Sequence, residues 1–182
     1  INTEIFPMRQ KLKNLTQAQT IALGFFIVIL MGTLLLMLPI SSKNGQSIGF
    51  IPALFTSASA SCVTGLVVVD TYTHWSTFGQ IVIITLIQIG GLGFITLGVL
   101  FSLLLNRNIN LKQRTLIRES VNSIHIGGVV KLVKKIIIGT FAIELIGAVI
   151  MSFFFIPELG FTRGVYYSVF HSISAFCNAG FD

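Results

Sequence analysis

Charged side chains are scarce in this chain. Lys, Arg, Asp and Glu make up 10% of its 182 residues, and only six residues are acidic. Soluble domains carry about 25% charged residues, so this composition excludes an ordinary soluble domain. Hydrophobic residues make up 53% of the chain, and the mean hydropathy is +0.89. The sequence therefore indicates an integral membrane protein that lies in a lipid bilayer.

Three long stretches have almost no ionisable residue. Residues 21–40 and 78–105 have none, and residues 136–156 contain only Glu144. A helix of about 20 apolar residues crosses a hydrocarbon core ~30 Å thick. The pattern predicts an all-α fold with three membrane-spanning helices, of which the first ends at Pro39 and the third is closed by Pro157.

An eleven-residue pattern occurs twice, 115 positions apart, and six of its eleven columns are identical. The first copy follows one apolar stretch and the second follows another, and each runs through small residues into a glycine. This layout is typical of a re-entrant pore loop, which enters and leaves the membrane on the same side. The identical columns are Phe55, Ser57, Ser59, Ala60, Cys62 and Gly65, matched by Phe170, Ser172, Ser174, Ala175, Cys177 and Gly180.

Cysteine is nearly absent, and the two cysteines occupy the same column of the repeat. A disulfide scaffold does not suit so apolar a chain. Their spacing from His74 and His125 does not match that of zinc ligands. His171 and Cys177 have no nearby acid to orient them as a nucleophile pair. Neither a metal centre nor an enzyme is expected.

The basic residues decide the predicted topology. Ten of the twelve Lys and Arg precede residue 21 or lie between residues 106 and 135, so both segments should be cytoplasmic. If residues 50–69 crossed the membrane, the second basic segment would lie outside. A re-entrant loop avoids this conflict. The net charge of +6 flanks membrane spans, which argues against a nucleic-acid partner.

The predicted organisation has four parts. Residues 1–19 form a cytoplasmic N-terminal segment, and residues 20–105 form the first helix, pore loop and helix repeat. Residues 106–135 form a basic cytoplasmic connector. Residues 136–182 form a second repeat that is truncated before its closing helix. The expected location is the plasma membrane, crossed several times, with the N-terminus in the cytoplasm.

The end of each loop suits a cation filter. Backbone carbonyl oxygens can replace the water around a dehydrated cation, and glycine allows the backbone conformation that turns them inward. A preceding helix adds a partial negative charge at its C-terminal end. The candidate carbonyls belong to Cys62, Val63, Thr64 and Gly65, and to Cys177, Asn178, Ala179 and Gly180.

Residues 59–66 and 174–181 resemble the filter sequences of the Ktr/Trk/HKT superfamily of potassium transporters. The likeness is greatest to the membrane subunit of bacterial Ktr systems, of which this chain would be the N-terminal part. The resemblance implies four repeats around one voltage-independent, potassium-channel-like pore, with Gly65 and Gly180 as the first two filter glycines. It also implies a homodimer on a cytoplasmic regulatory ring with nucleotide-binding domains, and sodium-stimulated potassium uptake. Potassium would be the bound ion, with no organic cofactor in this chain.

Several alternatives stay open. The chain could be a secondary carrier with broken helices, or a membrane enzyme or scaffold with a coincidental repeat. Glu144 could bind a cation or stabilise a helix contact. The glycines at 90, 91 and 93 indicate close helix packing rather than a dinucleotide loop. Tyr72 and Trp75 are expected near the outer membrane interface.

Overall fold

The computed structural model describes residues 17–93 and 129–182, together with Thr115 and Arg118. These residues form helices and connecting turns, and they contain no strand beyond one isolated antiparallel bridge between Ser42 and Trp75. The all-α prediction is therefore confirmed for them. In chain order the helices are α1 Gln17–Leu36, a 3₁₀ helix Pro39–Ser41, α2 Phe50–Cys62, α3 Thr71–His74, α4 Thr77–Leu92, α5 Val129–Leu159 and α6 Phe161–Phe176.

Two of these helices are long and apolar enough to cross a membrane. They are Ala18–Leu36 within α1 and Val130–Leu159 within α5. Large apolar side chains on both helices stay exposed, among them Phe26 at 57% and Phe153 at 76%. Apolar faces of this kind are expected where a helix meets lipid or another membrane helix. The first and third predicted spans thus have the required length and composition.

The second predicted span differs from the prediction. Helix α4 has 16 residues and ends at Leu92, where Gly93 adopts a positive φ of 75°. An α-helix cannot continue through that conformation, so the prediction of one unbroken helix over residues 78–105 is wrong at Gly93. Residues 94–105 lie outside the described part of the chain.

The third span also ends later than predicted. Pro157 lies inside α5, which continues to Leu159. Gly160 follows with a φ of 78°, and its N–H donates to the Ile156 carbonyl at 2.9 Å. A left-handed glycine, and not the proline, closes this helix.

The predicted cytoplasmic segments fall largely outside the described residues. Positions 1–16 of the N-terminal segment lie there, as do positions 106–128 of the connector apart from Thr115 and Arg118.

Helix α4 lies between the two short helices. It contacts α2 and α6, while α2 also packs on α1 and α6 packs extensively on α5. Its buried side chains Ile83, Leu86 and Ile87 recur at helical spacing, which directs one apolar face into the core. Phe170 and Phe181 of the second repeat join the same core. This packing brings the two copies of the repeated sequence together on one helix.

Asp70 caps the N-terminus of the short helix α3, which lies between α2 and α4. Asp70 accepts a hydrogen bond from the Thr73 N–H at 2.6 Å, and the bonds from the Thr73 side chain and backbone lower the pKa of the Asp70 carboxyl. Trp75 is 1% exposed and packs against Gly79, so its ring lies in the protein core, and its position near the outer membrane interface stays a prediction. Tyr72 is exposed, and its interfacial position stays a prediction.

Candidate functional site

The first short helix ends in a left-handed turn. Val63 has a φ of 56°, and its N–H donates to the Ala60 carbonyl at 3.3 Å. The next N–H, from Thr64, reaches back to the Ser59 carbonyl at 3.0 Å. This pair of bonds is the Schellman motif, which satisfies carbonyls that the end of a helix leaves free. The chain therefore leaves α2 in a direction fixed by its own backbone.

The second short helix ends in the same turn. Asn178 has a φ of 57° and donates to the Ala175 carbonyl at 3.0 Å, while Ala179 donates to the Ser174 carbonyl at 2.7 Å. Each of these four residues matches its counterpart in the first copy at the 115-residue offset. The sequence repeat is thus also a repeat of backbone conformation.

The two turns lead to glycines that lie against each other. Gly65 and Gly180 have φ values of 72° and 70°. A Cβ on Gly65 would lie 2.6 Å from the Ala179 carbonyl oxygen and 3.5 Å from the Gly180 Cα. No side chain fits there, so glycine is required at position 65 by both conformation and space. The structure brings the two sets of predicted site residues into contact at this point.

Two matching serines hold the segments that follow the turns. The Ser59 hydroxyl accepts a hydrogen bond from the Thr64 hydroxyl at 2.9 Å. The Ser174 hydroxyl donates to the Phe181 carbonyl at 2.6 Å and accepts from the Phe181 N–H at 3.1 Å. Asn178 and Gly180 are exposed, whereas Ala179 and Phe181 between and after them are buried. The second segment therefore has one side anchored in the protein and one side exposed.

The carbonyl groups of these segments are the candidate cation ligands. Within the described part of the chain, no donor reaches the carbonyl oxygens of residues 62–65 or 177–180. The C-terminal ends of α2 and α6 also point to this region, and each carries about half a negative elementary charge. These carbonyl oxygens and the two negative helix ends make the region a candidate cation site.

A second repeated contact, which the sequence analysis missed, fixes the short helices on the long ones. The Ser57 hydroxyl donates to the Ile29 carbonyl of α1 at 2.8 Å, and a Cβ on Gly32 would collide with that hydroxyl. In the second copy the Ser172 hydroxyl donates to the Glu144 carbonyl of α5 at 2.6 Å.

The second copy of this contact needs a glycine as well. A Cβ on Gly147 would lie 2.5 Å from the Ser172 hydroxyl oxygen. Gly32 and Gly147 are separated by the same 115 positions as the motif, as are Ile29 and Glu144. Extending the repeat alignment upstream of residue 55 would have found these positions. We call each serine, carbonyl and glycine set a helix clamp.

Helix α4 touches the ends of both short helices through glycines. A Cβ on Gly90 would collide with the Ser61 carbonyl oxygen, and one on Gly91 would lie 2.5 Å from the Cys177 sulfur. The prediction of close packing is confirmed at these two positions. At Gly93 there is no atom within 4 Å among the described residues, and its positive φ of 75° by itself favours glycine, so close packing stays a prediction at this position.

Glu144 pairs with a neighbouring helix. Its carboxylate oxygens accept hydrogen bonds from Gln88 Nε2 of α4 at 2.9 and 3.1 Å, and the residue is 5% exposed. The Oε1 atom of the same amide accepts from the Cys177 thiol at 4.0 Å, a long contact suited to sulfur. Of the two alternatives for Glu144, the structure favours the helix contact.

The other polar residues considered for a catalytic or metal-binding role do not form such a site among the described residues. His171 Nδ1 lies 3.0 Å from the Tyr167 carbonyl oxygen of its own helix. Where the chain is described, there is no group of three or more His, Cys, Asp or Glu that could hold a metal ion.

Comparison with known proteins identifies the group to which this arrangement belongs. Residues 6–182 match the TrkH family, described as a cation transport protein. The chain is 48% identical over 170 residues to the potassium/sodium uptake protein NtpJ of Enterococcus hirae, covering 93% of this chain and 38% of that protein. It is 52% identical over 167 residues to the Ktr system potassium uptake protein B of Bacillus subtilis, covering 92% and 37%. The corresponding protein of Vibrio alginolyticus is 42% identical over 165 residues, covering 91% and 36%.

The chain thus spans less than two fifths of the length of these curated relatives. The family is described as a cation transport protein, and the relatives are named as uptake proteins. These descriptions confirm the predicted resemblance and the expectation that the chain is not an enzyme. The chain belongs to the TrkH family of cation transport proteins.

Proposed function

We propose that this chain forms part of the pore of a potassium uptake protein in the plasma membrane, and that its two loops line the selectivity filter. One observation carries the proposal: the carbonyl oxygens of residues 62–65 and 177–180 have no donor in the described part of the chain, and the two loops meet at Gly65 and Gly180. Lipid cannot satisfy such groups, and water or a cation in a pore would satisfy them.

The electrostatics favour a cation over an anion. The negative ends of α2 and α6 converge on the loops, and each helix is long enough for its terminal carbonyls to contribute. Potassium is the ion that the relatives' names support, since they are called potassium or potassium/sodium uptake proteins.

The lengths of the short helices support re-entrant loops. Helix α2 has 13 residues and α6 has 16, which correspond to about 20 and 24 Å and fall short of a ~30 Å hydrocarbon core. Each would enter the membrane and return to the outer side. The N-terminus and the basic connector would then both lie in the cytoplasm.

Two filter segments cannot by themselves surround an ion. We propose that the pore has four helix, pore loop and helix units, of which residues 20–105 form the first and residues 136–182 form part of the second. The greater length of the relatives supports further units beyond these. The name Ktr system supports partners, which we propose to be a second copy of the pore subunit and a cytoplasmic ring with nucleotide-binding domains. Sodium stimulation is part of the same proposal.

Ion uptake tests the filter. The complete polypeptide is expressed in bacteria that lack their own potassium uptake systems, and initial rates are measured for potassium and for sodium. Gly65→Ser or Gly180→Ser should reduce the preference for potassium by about tenfold or more, because a Cβ at either left-handed position shifts the carbonyls. Gly45→Ser is the matched control, since Gly45 has a φ of 66° and no neighbouring atom within 4 Å in the described structure.

The same measurement separates the alternatives. A carrier that binds its ion through side chains would keep its preference in both filter variants. An enzyme or scaffold would give no uptake even with the unaltered protein. Either result would contradict the proposed filter.

A further inference from the structure

The buried carboxylate of Glu144 has an unusual partner. Both of its oxygens face the same amide nitrogen, Gln88 Nε2, and no Lys, Arg or His in the described part of the chain forms an ion pair with it. A carboxylate can only accept hydrogen bonds, whereas an amide has a donor end and an acceptor end. Glu144 therefore fixes which end of the Gln88 amide faces α5.

The orientation of Gln88 matters for the second loop. With its NH₂ group directed to Glu144, its oxygen is directed to the thiol of Cys177, which is the first residue after α6. The same cysteine packs against Gly91, one turn further along α4. Gln88 thus lies between the carboxylate and the start of the second set of filter carbonyls.

Glu144 also contacts the second short helix directly. Its main-chain carbonyl accepts the hydrogen bond of Ser172, which forms the helix clamp on α6. One residue of α5 therefore reaches the second short helix through its backbone and the second loop through its side chain. The matching position in the first copy is Ile29, which has no polar side chain, so the side-chain connection exists only in the second copy.

We propose that Glu144, acting through Gln88, is a positioning residue that holds the second loop in place and thereby sets the preference for potassium over sodium. This inference rests on the proposed function. The geometry that supports it is local: a carboxylate fixes an amide, and that amide contacts the residue at which the loop begins.

The test uses substitutions that keep size and remove one interaction. Glu144→Gln removes the fixed acceptor, and Gln88→Leu removes the amide. Each is expected to raise the KM for potassium about threefold to tenfold and to lower the potassium to sodium preference by a similar factor, with a smaller change in maximal rate per molecule in the membrane. Because the two residues act in one path, the double variant should be no worse than the worse single variant.

Rescue and a matched control complete the test. The exchange Gln88→Glu with Glu144→Gln restores one carboxylate and one amide, and should recover part of the preference. Ser152→Ala is the control, because among the described residues the Ser152 hydroxyl on α5 bonds only to the Ala148 carbonyl of its own helix. The control should keep the preference of the unaltered protein.

The outcomes are distinguishable. If Gly180→Ser loses the preference while Glu144→Gln and Gln88→Leu keep it, the positioning proposal is overturned and the filter stands. If both variants reduce the amount of protein in the membrane but leave KM and preference unchanged, Glu144 serves only folding and the proposal is again overturned. If the unaltered protein does not discriminate between the ions, it is the proposed function that fails.

Discussion

The two copies of the repeated motif share a backbone but differ in the residues that adopt it. Both helices end in a left-handed residue with nearly the same φ, 56° in Val63 and 57° in Asn178. Asparagine is among the residues that tolerate this region, whereas a β-branched residue there is a genuine outlier. The turn is therefore imposed by its hydrogen bonds and by the neighbouring contacts, since the preference of Val63 opposes it.

The attachments of the two copies differ as well. The first short helix is held on α1 by a clamp that uses only a main-chain carbonyl, at Ile29. The second is held on α5 by the same clamp, but the residue at that position, Glu144, also binds Gln88. A repeated backbone can thus carry a side-chain connection in one copy only, and variants in matching positions measure what each copy depends on.

The largest difference is expected at the glycines where the loops meet. Gly65→Ala places a Cβ 2.6 Å from the Ala179 carbonyl oxygen, whereas a Cβ on Gly180 meets, in the part of the chain that the structure describes, only the Gly65 Cα, at 3.6 Å. Gly65→Ala should destabilise the protein by about 3 kcal/mol or more, and Gly180→Ala by about 1 kcal/mol from its positive φ alone. Thermal unfolding in detergent measures both, and equal losses would contradict the asymmetry.

The helix clamps should give intermediate effects. Gly147→Ala should cost about 2 kcal/mol because its Cβ meets the Ser172 hydroxyl, and Ser172→Ala should cost about 1 kcal/mol for the lost hydrogen bond. Combined, they should cost less than their sum, since the colliding oxygen is gone. The atom left nearest to the new Cβ would be the Cβ of residue 172, at an ordinary 3.6 Å.

The matching pair of substitutions in the first helix clamp is the comparison, because there the loss of the serine hydroxyl should not relieve the collision. A Cβ on Gly32 also meets Leu86 Cδ1, at 2.7 Å, so Gly32→Ala should stay costly in a Ser57→Ala background. Thermal unfolding of the four single variants and the two double variants tests this. Rescue in both copies, or in neither, would show that the collisions differ from those described.

The smallest effect is expected at the left-handed residues. Asn178→Val should destabilise the protein by about 1 kcal/mol, because valine is poorly suited to positive φ. Val63→Asn removes that strain but also removes the contact of the valine side chain with the core, so its net effect should be within about 1 kcal/mol of zero. A large loss for Val63→Asn in thermal unfolding would mean that packing outweighs backbone strain at this turn.

Much of the fold followed from the distribution of charge and of small residues. The long apolar stretches around α1 and α5 predicted two helices of membrane-spanning length, and the identical columns predicted two segments of related conformation. The predicted break after the third span was misplaced, because Pro157 is tolerated near the end of α5 and Gly160 ends the helix. The second span was also predicted as unbroken, because a single glycine in an apolar run gives no sign of its φ.

The candidate site could be predicted only in part. The eight candidate filter residues were singled out because the motif repeats, but the contact of their two segments at Gly65 and Gly180 joins residues 115 positions apart. The contact of Gln88 with Glu144 and the burial of Trp75 likewise depend on how helices pack. In the sequence, neither Gln88 nor Glu144 shows that the two side chains form a hydrogen bond with each other.

The sequence by itself determined the two helices of membrane-spanning length, the helical class and the twofold motif, because hydropathy, charge and identity of residues are properties of the chain that need no knowledge of distance. Only the tertiary structure decided that Val63 would be left-handed and that Gly32 and Gly147 would leave room for the serine hydroxyls of the helix clamps. It also decided that Gln88 would lie between Glu144 and Cys177. Those features arise where separate helices meet, and there the space and hydrogen-bonding groups of a neighbour outweigh the preference of any single residue.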